Sequence, residues 1–150
     1  MQYALKEAEK ALEKAEVPIG AVVVYEDLII GKGHNLTETL QDATAHAEIL
    51  AITAAAAHQA SWRLEGATLY ATVEPCPMCC GATLLARIGK VVYGTDDSRF
   101  GGCGSMPGVN VMASNPFGPA VQIVRNVKQN ECQQLLKHFF QKLRGGSSSE

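Results

Sequence analysis

The sequence predicts an α/β fold built in layers around a mixed sheet of five short strands. Helical stretches alternate with β-branched runs of strand length along the chain. The first two strands follow one another as a hairpin, while the later ones are separated by helices, so antiparallel and parallel pairing should meet in one sheet. Length fits this picture, because 150 residues with 47% hydrophobic content bury one substantial core and are few for two ordinary domains. A single domain is expected over residues 1–144, followed by a disordered tail at 145–150.

Taken in order, Tyr3, Ala4, Leu5, Ala8, Ala11, Leu12 and Ala15 recur at helical spacing with Lys and Glu between them. Residues 2–16 therefore read as an amphipathic helix ended before Pro18. The runs 19–25 and 28–30, joined by Glu26-Asp27, read as the hairpin. Its turn lacks Asn-Gly or Asp-Gly, which leaves the register open by a residue or two. Residues 33–43 are polar and non-periodic, and Asp42 or Thr44 is placed to cap an alanine-rich helix through residue 58, with His46 and Glu48 in its first turn. Residues 67–73 read as a buried strand. Glu74-Pro75-Cys76-Pro77 breaks it and opens a second helix, which Gly89 stops. Residues 90–94 make the fourth strand, 96–104 a glycine-rich loop, and 105–119 a Pro/Gly-punctuated stretch without assignment. Residues 120–124 make the fifth strand, and Asn130 with Gln133 resembles a capping box for a last helix to about residue 144.

No apolar run reaches the roughly 18 residues of a membrane span, and the N-terminus has no signal-like segment. A cytoplasmic protein without a membrane partner is expected. The five cysteines are odd in number, and Cys76, Cys79 and Cys80 crowd together, which suits reduced thiols with a metal better than a disulfide framework. A net charge of -2 marks no general nucleic-acid binder, yet residues 1–86 hold five Lys/Arg against eleven Asp/Glu while 87–144 hold eight against three. The basic C-terminal part could face phosphates, or its charges could be scattered over solvated surface.

The chemistry concentrates in His46-Ala47-Glu48 and Pro75-Cys76-Pro77-Met78-Cys79, each at an expected helix start. Cys-x-x-Cys across a first helical turn lets two thiolates converge on one cation, and the positive end of the helix favours their ionised form. One imidazole completes a three-ligand set. Catalytic zinc sites typically have three protein ligands and leave the fourth position to water, whose proton a nearby carboxylate takes. His46, Cys76 and Cys79 are thus the candidate ligands of one Zn2+ per subunit, and Glu48 the candidate proton shuttle. Each half also has a plainer reading: a lone Cys-x-x-Cys suits redox or structural roles, and a lone His is more often a satisfied core residue. A closed site with Cys80 as fourth ligand is a further alternative, opposed because adjacent Cys79 and Cys80 rarely point at one metal. Cys103, Cys132, His34, His58 and His138 read as structural.

His-x-Glu followed by Pro-Cys-x-x-Cys is the known signature of zinc-dependent base deaminases. Beyond it, residues 1–144 resemble the bacterial tRNA-specific adenosine deaminases. The resemblance is carried by Glu16-Val17-Pro18-Ile19-Gly20-Ala21-Val22, Gly33-His34-Asn35, Ala45-His46-Ala47-Glu48-Ile49, the run from Thr68 to Cys79, Arg87-Ile88-Gly89-Lys90-Val91-Val92-Tyr93-Gly94, Gly101-Gly102-Cys103-Gly104-Ser105 and Phe139-Phe140. It implies a three-layer α-β-α sandwich of the cytidine deaminase-like kind, a homodimer, and conversion of the wobble adenosine of an arginine tRNA to inosine. By position it implies that Asn35 and the Ala47 amide hold the flipped base. It also implies that Asp97, Arg99, Phe139 and Phe140 meet the anticodon stem-loop. Glu48 would take a proton from water and deliver protons to N1 and the departing amine. The chain departs from the family after Ser105, where Pro107 and Gly108 interrupt an apolar helical segment, and in the acidity of Asp96-Asp97. Two other readings compete. One is a free-base or nucleoside deaminase acting on guanine or cytosine, which needs a closed pocket. The other is a catalytically silent zinc module that binds RNA or a partner, which the presence of Glu48 opposes.

Overall fold

The computed structural model describes residues 1–147. Its elements are α1 (Gln2–Glu13), β1 (Gly20–Tyr25), β2 (Leu28–His34), α2 (Thr37–Leu40), α3 (Ala47–Gln59), β3 (Thr68–Val73), α4 (Pro77–Leu85), β4 (Lys90–Thr95), β5 (Gln122–Val124) and α5 (Gln129–Ser147), with a 3-10 turn at Val111–Ala113 between β4 and β5. The strands form one sheet in the order β2-β1-β3-β4-β5. β1 is antiparallel to both β2 and β3, and the β3-β4 and β4-β5 pairs are parallel. This is the mixed five-stranded sheet expected.

Small residues set the layers. Ala4, Ala8 and Ala11 are wholly buried on α1, and a side chain at Gly20 of β1 would run into the Ala4 carbonyl. On the next pleat, Ala21 pairs with Gly33, whose missing side chain would point into α3. Since successive residues of a strand face opposite sides, α1 and α3 cover opposite faces. α5 packs against β4 and α1, and α4 lies beside α3, completing the α-β-α sandwich. The apolar core lies mainly between the sheet and the α3/α4 layer, where Val23, Leu69, Ile88, Val91 and Tyr93 meet Ala51, Ala55 and Leu84.

Ala47, Ala51 and Ala55 of α3 are wholly buried, spaced one turn apart, and glycines at 31 and 33 let that stripe lie directly on β2. A Cβ at Gly33 would come 2.3 Å from the Ala47 carbonyl oxygen and 2.6 Å from the Ala51 nitrogen. Gly33→Ala is therefore expected to push the start of α3 off the sheet at a cost of about 1–3 kcal/mol, the range for overpacking a dense core. Urea unfolding should show the loss as a lowered midpoint with an unchanged slope. An unaltered midpoint would mean that α3 is not held by this contact.

Several boundaries differ from the sequence reading. α1 ends at Glu13 and not at residue 16. β2 continues through the glycines to His34, and its hairpin turn is tight, with Glu26 and Asp27 both in the left-handed region that a two-residue type I′ connection requires. α3 starts at Ala47, capped by neither Asp42 nor Thr44; Asp42 instead accepts from the Thr44 backbone and hydroxyl at 2.8 and 2.7 Å. α4 ends at Leu85 with Arg87 left-handed, so Gly89 is not its stop. β5 is confined to Gln122–Val124. Asn130 lies inside α5, and Gln133 donates to Thr95 Oγ1 at 3.2 Å, so no capping box forms. α5 continues to Ser147, which makes the first residues of the expected tail helical; residues 148–150 lie outside the described residues.

Candidate metal centre

Two helix N-termini converge at the ends of β2 and β3. His46 is the N-cap residue of α3 and Cys76 that of α4, both in extended backbone conformation, and Pro77 occupies the first turn of α4. Neither side chain turns back to cap its own helix. They face each other instead: His46 Nδ1 lies 3.5 Å from Cys76 Sγ and 3.6 Å from Cys79 Sγ. All three ligand atoms lie within 4.8 Å of one another, a group among the described residues able to hold a metal ion. A tetrahedral ion with bonds of about 2.0 Å to nitrogen and 2.3 Å to sulfur spans N to S over about 3.5 Å, so the donors stand at the separation such an ion needs.

The protonation states agree with a site made for positive charge. Hydrogen bonds from Cys79 and His46 pull Cys76 down to about 4. Its hydrogen bond to Cys76 and its burial hold the Cys79 thiol far up. Of two thiols so close, one ionises and the other keeps its proton unless a cation relieves the repulsion. The hydrogen bond to Cys76 raises the His46 pKa. Glu48, in the first turn of α3 and only 4% exposed, is pushed above the ordinary carboxylate range by burial and interacts with the Cys79 thiol. Cys80 faces away from the triad and pairs with Cys103, Sγ to Sγ 3.6 Å, which removes it as a fourth ligand.

His46, Ala47, Glu48 and Cys76 open onto a cleft of about 460 Å³. It is also lined by Asn35 and Thr37, by Asp97, Arg99 and Phe100, and by Leu136 and Phe140 of α5. Asn35 Oδ1 accepts from the Thr37 hydroxyl at 2.7 Å and from its backbone N–H at 3.4 Å. Because that N–H can only donate, the atom facing it is the oxygen, and the amide NH2 is the end left to donate elsewhere. Phe139 does not join the cleft. It is 8% exposed and packs edge-on against Phe140 at 5.2 Å, whereas Phe140 is 45% exposed. A shallow groove beside the cleft shares Arg99, Leu136 and Phe140 with it and adds Lys137 and Arg144.

Both carboxyl groups of the 96–97 pair accept hydrogen bonds from within the chain. Tyr93 donates to Asp96 at 2.6 Å, and Asp97 Oδ1 accepts from the backbone of Arg99 and Phe100, each at 3.0 Å. The divergent segment after Ser105 keeps a single 3-10 turn, whose N–H at Met112 is capped by Asn110 at 3.1 Å.

Three buried carboxylates escaped sequence reasoning: Glu7, 5% exposed, which pairs with Lys10 at 2.6 Å and lies 3.5 Å from His34, and Glu16 and Glu74. Glu16, 1% exposed, accepts from the backbone of Glu38 at 3.1 Å and Thr39 at 2.6 Å, and so starts α2 in what reads as a loop. Burial would raise its pKa, but the hydrogen bonds from Thr39 and Glu38 hold it below the ordinary value. Glu74, 3% exposed, binds three amides of the 97–105 loop. For Glu16 and Glu74 the available signal was a Glu close before a proline within an otherwise apolar run.

Comparison with known proteins gives a consistent picture. The MafB19-like deaminase family matches residues 1–144. A tRNA-specific adenosine deaminase of Bacillus subtilis is 49% identical over 144 residues, covering 96% of this chain and 88% of that protein. Among solved structures, one from a study of A-to-I editing by tRNA:A34 deaminases at the wobble position of transfer RNA superposes with a TM-score of 0.84 at 40% identity, covering 91% of this chain and 97% of that one. The guanine deaminase of Bacillus subtilis superposes less completely, with a TM-score of 0.60 at 37% identity over 63% of this chain and 61% of that one.

Proposed function

This chain belongs to the MafB19-like deaminases, among the tRNA-specific adenosine deaminases, and on that premise we propose that it hydrolyses the wobble adenosine of an arginine tRNA to inosine. The observation that carries the reading is the meeting of one imidazole, two thiols and the buried Glu48 carboxyl at paired helix N-termini on the floor of an open cleft. Residues 1–144 are the catalytic domain in this reading, and it acts in the cytoplasm as a homodimer with one Zn2+ per subunit.

His46, Cys76 and Cys79 hold the zinc. When bound, the ion supplies the Lewis acidity that brings the pKa of water to about 7. Asn35 and the Ala47 amide hold the base with C6 over Glu48. Glu48 accepts a proton as water adds to C6 and delivers protons to N1 and to the leaving amine; the C6–N bond breaks, ammonia departs and inosine remains. An extruded base suits the floor of the cleft. Arg99, Lys137 and Arg144 flank the opening where phosphates of a splayed loop would pass, and Phe140 offers a ring for stacking.

Incubating zinc-loaded protein with an anticodon stem-loop of arginine tRNA, beside free adenine, guanine, cytosine and cytidine, tests the reading by nucleoside mass spectrometry. Inosine in the stem-loop alone is expected. Turnover of a free base or nucleoside with an untouched stem-loop would overturn the substrate. Asn35→Ala is expected to raise KM about tenfold, the effect of one hydrogen bond to a polar group, while zinc content stays stoichiometric; unchanged kinetics would leave Asn35 only a loop residue.

A further inference from the structure

The part of the cleft wall formed by the 97–105 loop is hung on one carboxylate. Glu74 Oε1 accepts from the Asp97 N–H at 3.1 Å, and Oε2 accepts from the N–H groups of Cys103 at 2.9 Å and Ser105 at 3.3 Å. Both ends of the 97–105 loop thus converge on a single side chain two residues before Cys76. Gly102 adds a backbone bond to the Pro75 carbonyl at 2.7 Å. Between these ties the loop carries Ser98, Arg99 and Phe100 into the cleft. The carboxylate also occupies the space beside Gly101, where a Cβ would come 2.3 Å from Oε2. A carboxylate has acceptor capacity for all three N–H groups, whereas a carboxamide of the same shape keeps one accepting oxygen and turns an NH2 on the other donors.

We propose that Glu74 is a positioning residue for substrate selection: its carboxylate locks the 97–105 wall onto the metal-binding turn and so sets the fit of the cleft to the nucleotides flanking the target adenosine. This rests on the function proposed above. The lock acts through backbone N–H groups, so apart from Gly101, where only a glycine leaves room for the carboxylate, its role is independent of which side chains the loop carries, and it explains a buried carboxylate that the deamination chemistry does not use. Charge-assisted bonds to amides are among the stronger ones, and losing them frees a wall while the ligands and Glu48 stay in place.

Glu74→Gln is expected to raise KM for the wobble-adenosine stem-loop about tenfold or more, with kcat held within about threefold and zinc content unchanged. Amide exchange in 97–105 should quicken at least about tenfold while α3 and β1 exchange as in the wild type, which a general loss of stability would not produce. Gly101→Ala, which strikes the same contact from the loop side, should give the same signature and serves if Glu74→Gln fails to fold. Unaltered exchange in 97–105, unchanged KM despite a loosened loop, or a loss confined to kcat with zinc released would each overturn the proposal. A wild-type protein inactive on the stem-loop would sink the functional reading, and the exchange measurement would still decide whether the lock exists.

Discussion

Glu48→Gln is expected to leave a folded, zinc-loaded protein whose turnover of the stem-loop falls about 10²–10⁴-fold, the usual share of general acid–base catalysis. Glutamine fills the space of a side chain that is only 4% exposed and keeps a hydrogen-bonding head, so packing at the first turn of α3 survives. What it cannot do is take a proton from water and give it back to N1 and the amine. His46, two residues before it, stays the N-cap of α3, so the metal should be retained. Metal analysis and single-turnover kinetics check the two halves together. Activity within about tenfold of the wild type would remove Glu48 from proton transfer. Loss of zinc alongside activity would instead make its carboxyl a support of the metal site.

The part of this site that could be read from the sequence is the part built locally. Cys76 and Cys79 are one helical turn apart whatever surrounds them, and His46 and Glu48 sit astride a helix start, so each half of the candidate donor set was legible before any fold, while their meeting across thirty residues is what the structure adds. The helix start itself was not. Asp42 and Thr44 have better capping chemistry than His46, but they satisfy each other, and α3 begins where Gly33 lets Ala47 reach the sheet. α2 was illegible for a related reason: its amides are answered by Glu16, more than twenty residues away, and no local pattern records a partner so distant. Phe139 and Phe140 show the limit of adjacency. Neighbours on a helix face different ways, so one ring entered the interior and the other the cleft.

That convergence of remote parts also explains why the sheet matters to the chemistry. β1 and β3 are antiparallel neighbours, and the chain leaves β3 directly into the turn that bears Cys76, while His46 is reached from the end of β2 by way of α2. The candidate metal centre is therefore where two segments thirty residues apart in sequence meet, each at the N-terminus of a helix of the α3/α4 layer. A cation at that point should stabilise the layer as well as the reaction.

Cys79→Ser tests both consequences and carries the largest expected effect. Cys79 is wholly buried, its Sγ is 3.6 Å from His46 Nδ1, and no other cysteine can replace it, since Cys80 is turned to Cys103. A serine hydroxyl holds its proton at neutral pH and is a poor zinc ligand, so two donors are left where a catalytic site needs three. Dialysed protein is expected to retain less than about a tenth of the wild-type zinc and to lose activity by about a thousandfold or more. Because binding to the native state alone is folding free energy, the melting temperature should fall toward that of chelator-treated wild type, and added zinc should restore the wild type but not the variant. Stoichiometric zinc in Cys79→Ser would take Cys79 out of the ligand set. A melting temperature equal to that of the zinc-loaded wild type, with the metal gone, would mean that the two helix N-termini are held together by the apolar layer alone.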